Sequence, residues 1–289
     1  SFLQSASLTA LMGVVLLFIG RGAEKQLGRR DGYVIVTVAW LAFSLFGMLP
    51  FYLSGYIPSI TNAFFETMSG FSSTGATILN DIEKLPHGLL FWRSMTQWIG
   101  GLGIVFFTIA VLPIFGVGGI QVFAAEASGP THDKVHPRIG ITAKWIWGIY
   151  AGLTGTLIIL LMFGGMNIFD SICHAFATTS TGGFSTKQAS IEYYHSPYIE
   201  YVISIFMFIS GINFTLLLLF VNGKLKKFVH DAELKWYFWS VTGFTIGIAA
   251  ILYYNSSMGV EEAFRKSLFQ VASLHTSTGF ATADYMTWP

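Results

Sequence analysis

The chain has 289 residues and a net charge of +1; 53% of it is hydrophobic and only 11% charged. Soluble domains carry about 25% charged residues, so a polar surface for a fold of this size is missing and a lipid bilayer is the implied solvent. The near-neutral charge excludes the basic excess of nucleic-acid binders, and the single Cys173 excludes an internal disulfide or a cysteine-built zinc site.

A spanning helix needs about 20 largely apolar residues. Six stretches qualify in chain order: 2–20, 33–57, 89–115, 141–165, 197–221 and 235–254. The first reads as a true span and not a signal peptide, because no basic segment precedes it. Three further stretches, 62–77, 168–186 and 261–283, are too short and too polar to cross. Each follows a span by a few residues. Basic residues set the orientation. Arg21, Lys25, Arg29, Arg30, Lys134, Arg138, Lys144, Lys224, Lys226, Lys227 and Lys235 cluster at alternate span ends and mark the cytoplasmic side. That side holds eleven basic residues against six acidic ones, and the outer side five against nine. The outer side is thus net acidic, which concentrates cations, although topology bias alone accounts for it equally well. All three short segments fall on the outer side, where a chain can dip in and return. Irregular backbone at membrane depth is tolerated only where it lines water or is buried in protein.

The short segments share a repeat. Aligned on Gly75, Gly182 and Gly279, each reads [ST]-S-T-G, with spacings of 107 and 97 residues. A single copy would carry no weight; three copies at equivalent topological points mark a repeated unit. A dehydrated cation needs oxygens in place of its water shell, and backbone carbonyls in a narrow ring supply them. Glycine permits backbone angles closed to other residues, and Ser or Thr adds hydroxyl oxygens. A short helix running inward before each loop aims its negative end at the ion.

The stretches FSSTGAT (71–77), TTSTGGFST (178–186) and HTSTGFATAD (275–284) resemble the filters of the Trk/Ktr/HKT potassium transporters, nearest to the TrkH branch. WRSMTQWIGGLG (92–103) and AEASGP (125–130), with Asp133, Lys134, Pro137, Arg138 and Ile139, extend the likeness over essentially the whole chain. The resemblance implies an all-α integral membrane fold of repeated span–pore-helix–filter-loop–span units in a pseudo-fourfold pore. It implies potassium as the transported ion and a location in the bacterial inner membrane. Its ion-lining positions carry over to Ser73, Thr74, Gly75, Ser180, Thr181, Gly182, Ser277, Thr278 and Gly279. In this family glycine at the filter position goes with potassium, and serine in the first repeat with sodium passage. The resemblance also implies a homodimer and a cytoplasmic nucleotide-binding regulatory subunit of the RCK type. On that pattern, residues 1–32 form an N-terminal span and linker, 33–130 the first pore unit, 131–228 the second and 229–289 an incomplete third. The second span of the third unit and the whole fourth unit are absent, so these residues are expected to be part of a longer protein and unable to form a selective pore alone.

Other features have bland alternatives. Gly100, Gly101 and Gly103 lie in an apolar span with no preceding strand, so they suit close helix packing and not nucleotide binding. Gly211 and Asn213 suit either a hinge or a packing notch. His174 and His275 have no second metal ligand at helical spacing. Glu66 and Arg93 are costly at membrane depth; they could brace the first loop, or Arg93 could snorkel outward. Asp133, Lys134 and Arg138 form either a solvated face or a docking surface for the regulator. No nucleophile–base pair or ligand cluster converges at membrane depth, so the chain does not read as an enzyme.

Overall fold

The structure, a computed structural model, describes residues 1–22, 29–111 and 139–289, with the backbone alone at 29–33, 36, 104–111, 139–143 and 215. The cytoplasmic connection expected to contain Asp133, Lys134 and Arg138 lies outside these residues. Among the described residues regular structure is entirely helical.

The chain begins with α1 (Phe2–Ile19) and α2 (Arg29–Gly47). The second expected span does not continue straight to residue 57. It breaks after Gly47 and resumes as the five-residue α3 (Leu49–Leu53), with Pro50 in its first turn. Proline lacks the N–H that a continuous helix would need there, and its ring clashes with the preceding turn. The next elements are α4 (Ile60–Phe71), α5 (His87–Val111), α6 (Ile139–Phe163) and α7 (Ile168–Thr179). Then come α8 (Pro197–Ser210), α9 (Phe214–Val221), α10 (Leu225–His230), α11 (Ala232–Asn255) and α12 (Val260–His275).

Three helices are long and apolar enough to cross a membrane among the described residues: Phe2–Gly22, Lys144–Phe163 and Ala232–Asn255. The fifth expected span is divided. Helix α8 stops at Ser210, and α9 restarts after Gly211–Asn213, where the Asn213 carbonyl accepts the N–H groups of Leu216 and Leu217. A Cβ at Gly211 would lie 2.5 Å from the Tyr237 hydroxyl and 2.9 Å from Thr276 Cγ2. The position is therefore both a helix break and a packing notch.

The three short segments are half-helices. Helices α4 and α7 have 12 residues each, about 18 Å of rise at 1.5 Å per residue, well short of a bilayer core about 30 Å thick. N-caps fix two of their starts: Ser59 accepts the Asn62 N–H, and Asn167 accepts the Asp170 N–H at 2.8 Å.

Helix α7 sits at the centre. Ala175 and Ala177 belong to a cluster with Leu157 and Leu161 of α6, Ile199, Ile203 and Met207 of α8, and Phe269 and Ala272 of α12. Leu3, Leu11, Leu17 and Ile19 of α1, and Trp236, Trp239, Phe244 and Tyr254 of α11, lie exposed on the outside. Apolar surface this extensive suits lipid and not water. Without a hydrophobic drive between helices in lipid, close packing must come from small residues. Gly100 and Gly101 supply it. A Cβ at Gly100 would lie 1.9 Å from the Phe71 carbonyl oxygen, and one at Gly101 3.0 Å from Ser180 Cα. One helix, α5, thereby seats the ends of α4 and α7. Among the described residues Gly103 meets only its own helix, at 3.8 Å.

Candidate functional site

Helices α4, α7 and α12 end in loops with one backbone design. Each cap residue, Ser72, Ser180 or Thr276, is followed by a residue in the left-handed region: Ser73 at φ 53°, Thr181 at 53° and Ser277 at 59°. Two residues on stands a glycine with positive φ: Gly75 at 75°, Gly183 at 74° and Gly279 at 82°. Between these, one N–H reaches back five residues: Thr74 to the Ser69 carbonyl at 3.0 Å, Gly182 to Ala177 at 2.8 Å, and Thr278 to Ser273 at 2.8 Å.

This geometry corrects the register read from sequence. Aligning the S-T-G triplets pairs Gly182 with Gly75 and Gly279, but the backbone pairs Gly183 with them. Helix α7 keeps its turn one residue longer relative to the triplet, so Ser180, Thr181 and Gly182 match Ser72, Ser73 and Thr74. The doublet Gly182-Gly183 hid this slip, because either glycine satisfies the motif.

The loops lie side by side. A Cβ on Gly75 would stand 2.2 Å from the Gly182 carbonyl oxygen and 3.8 Å from that of Thr278. One on Gly183 would stand 1.7 Å from the Thr278 carbonyl oxygen. The glycines of the first two loops thus each face the carbonyl just before the next loop's glycine, in the same sense around an arc. Gly279 has open space at the matching position among the described residues. Of the expected lining residues, Ser180, Gly182 and Thr278 are buried, Ser73, Gly75 and Thr181 are half-buried, and Thr74, Ser277 and Gly279 are exposed. Among the described residues the middle loop is covered on both flanks, and the outer two are each open on one.

A buried ion pair ties the first two loops. Arg93 and Glu66 are 2% and 1% exposed, which excludes snorkelling, and Arg93 Nε donates to Glu66 Oε1 at 2.6 Å. Glu66 also accepts Thr77 Oγ1 at 2.9 Å and the Ile78 N–H at 3.0 Å from the segment leaving the first loop. Arg93 Nη1 donates to the Ser185 carbonyl at 3.0 Å, and its guanidinium lies 3.6 Å from the centre of the Phe184 ring beyond the second loop. One desolvated charge pair, hydrogen-bonded on both members, fixes two loops against each other.

The second unit uses the equivalent position differently. His174 stands in register with Glu66; its Nε2 meets Ser185 Oγ at 2.9 Å and its Nδ1 the Asp170 carbonyl at 2.8 Å. Its neighbours are hydrogen-bonding groups of the protein, consistent with a bracing role. Further out, Gln188 Oε1 accepts the Ile82 N–H at 3.1 Å, and the Ala281 carbonyl accepts the Glu192 N–H at 3.2 Å. Arg265 of α12 pairs with Glu200 of α8 and, at 2.9 Å, with Glu261. His275 approaches Ser240 at 3.2 Å.

Sequence reasoning missed two residues here, Gly183 and Gln97. Gln97, on α5 and fully buried, donates from Nε2 to the Gly182 carbonyl at 2.6 Å and accepts the Phe184 N–H on Oε1 at 3.0 Å. A lone amide inside an apolar span was the available signal.

Comparison with known proteins agrees with the resemblance drawn from the motifs. The chain is 40% identical over 299 residues to the Trk system potassium uptake protein TrkH of Escherichia coli strain K12. It is 39% identical over 292 residues to the TrkH of Halomonas elongata; each alignment covers all of this chain and 61% of the relative. The crystal structure of the potassium transporter TrkH from Vibrio parahaemolyticus superposes with a TM-score of 0.85 at 34% identity, over all of this chain and 59% of that one. This chain therefore spans about three-fifths of the length of the relatives it matches. The family model for TrkH, a cation transport protein, matches residues 1–289, and the chain belongs to that family.

Proposed function

We propose that this chain forms part of the ion path of a Trk-type potassium uptake system in the bacterial inner membrane, with the three loops contributing carbonyl oxygens to a selectivity filter. The observation that carries this reading is the handed arc, in which Gly75 faces the Gly182 carbonyl and Gly183 faces that of Thr278. An arc of this kind gathers backbone oxygens from separate loops around one axis, as replacing the hydration shell of a cation requires. Helices α4, α7 and α12 each lead into their loop from the C-terminal, partially negative end. Transport needs no covalent step. Inward movement of K+ is driven by the membrane potential, at about 2.3 kcal/mol per charge per 100 mV.

In this reading the lining set is Ser73, Thr74, Gly75, Ser180, Thr181, Gly182, Ser277, Thr278 and Gly279, with Gly183 added as the true counterpart of Gly75. The pseudo-fourfold pore of repeated span–pore-helix–loop–span units, with a fourth contribution beside Gly279, completes it. A homodimer and a cytoplasmic nucleotide-binding regulator docking through Lys134 and Arg138 follow from the resemblance; retention of the regulator after charge reversal at both residues would count against that docking site.

The filter reading is tested at Gly75. Gly75→Ser in the full-length gene product puts a side chain at positive φ and against the Gly182 carbonyl. Discrimination of K+ over Na+ is expected to fall by at least about tenfold, in line with a loss of about 1.4 kcal/mol. Unchanged relative uptake of the two ions removes the first loop from the filter.

A further inference from the structure

We propose that Gln97 is a positioning residue for the second loop, and that Gly182 is glycine to make room for it. This rests on the filter reading above and deepens it. The amide of Gln97 offers its donor to the Gly182 carbonyl and its acceptor to the Phe184 N–H, at 2.6 and 3.0 Å. A donor and an acceptor on one rigid plane, bound to backbone groups two residues apart, fix the orientation of the intervening peptides. The carbonyl so held is the one facing Gly75.

The other two loops reach the same end by a different device. At the position matching Gly182 they carry Thr74 and Thr278, whose hydroxyls bond the cap residues of their own helices: Ser72 at 2.8 Å and Thr276 at 2.7 Å. The second loop has no side chain there, and Gln97 fills the space. A Cβ at Gly182 would lie 2.4 Å from Gln97 Cδ and 2.7 Å from both its amide nitrogen and oxygen. Backbone conformation does not demand glycine at 182, since its φ is not positive; that demand falls on Gly183 at φ 74°. The two glycines of the doublet therefore have separate reasons. One admits the amide, and the other makes the left-handed turn. An internal hydroxyl tie has been exchanged for an external amide tie to α5, the helix that also carries Arg93.

The exchange makes a rescue experiment possible in the full-length gene product, with K+ and Na+ fluxes measured in proteoliposomes and the melting temperature compared in K+ and in Na+. Gln97→Ala is expected to lower K+ over Na+ discrimination about tenfold, within the coupling range for residues in contact, and to shrink the extra stabilisation by K+. Gln97→Glu keeps an acceptor for Phe184 but sets an anion against the Gly182 carbonyl, and is expected to lose discrimination while remaining folded. Gly182→Thr alone collides with Gln97 and is expected to abolish selective flux. Combined with Gln97→Ala it should regain at least about tenfold over the single variant, because Thr at 182 can then bond Ser180 as its counterparts do. Gly183→Ala combined with Gln97→Ala should regain nothing. Wild-type discrimination in both Gln97 variants, or a combined variant no better than Gly182→Thr, overturns the inference. If Gly75→Ser shifts selectivity while the Gln97 set does not, this inference alone falls; if neither shifts it, the filter reading falls as well.

Discussion

Gly183→Ala is expected to abolish potassium-selective uptake outright. Two costs meet at this residue. The left-handed conformation at φ 74° costs an L-residue about 1–2 kcal/mol. In addition, the new Cβ would stand 1.7 Å from the Thr278 carbonyl oxygen and 2.8 Å from its carbon, backbone atoms that cannot rotate aside. The second and third loops must separate, and the oxygens they share are lost together. Gly165 provides the control. It has a similar φ of 89°, in the turn between α6 and α7, and a Cβ there would meet nothing within 4 Å among the described residues. Gly165→Ala should therefore lose about 1–2 kcal/mol of stability through the backbone alone, with ion discrimination unchanged. Uptake and melting measurements on the two variants separate crowding from strain. Equal behaviour of the two would mean that the loops do not touch as described.

Arg93→Leu is expected to be the most destabilising single change outside the loops. It leaves the Glu66 carboxylate buried without its cation, and breaking a buried pair from one side typically costs about 3–5 kcal/mol. It also frees the Ser185 carbonyl and exposes one face of Phe184, so the first two loops lose their common anchor. Replacing both members by apolar residues removes the uncompensated charge, and Glu66→Leu with Arg93→Leu should recover part of the loss. The check is folded yield together with the melting temperature of the purified full-length protein. A wild-type melting temperature for Arg93→Leu would show that the pair does not hold the loops.

Much of this architecture was legible because two of its signals are coarse. Long apolar runs announce spans through the energetics of the bilayer alone, and a triplet repeated at 107 and 97 residues announces a repeated backbone need. What stayed hidden depends on shape at the scale of single atoms. The second span reads as continuous in hydropathy, but Pro50 interrupts its hydrogen-bond ladder. At Gly211 and Asn213 the sequence offered a hinge or a packing notch, and only the contacts of Tyr237 and Thr276 at Gly211 show that the position is both. Glu66 and Arg93 were visible as a possible brace, but only their burial decides against snorkelling. The register of the second loop was misread because Gly182 and Gly183 are identical letters with different reasons. Gln97 showed only as a lone amide in an apolar span, since a side chain that completes another segment's hydrogen bonds has no periodicity of its own.

On the proposed function, oxygens from these three loops bind potassium directly. Anomalous diffraction from rubidium-soaked crystals of the full-length protein tests it most directly. A peak is expected on the axis between the loops, within coordinating distance of their backbone oxygens, which excess K+ removes and equal Na+ leaves in place. A rubidium site confined to another part of the molecule, or one between the loops that Na+ displaces as readily as K+, would contradict it.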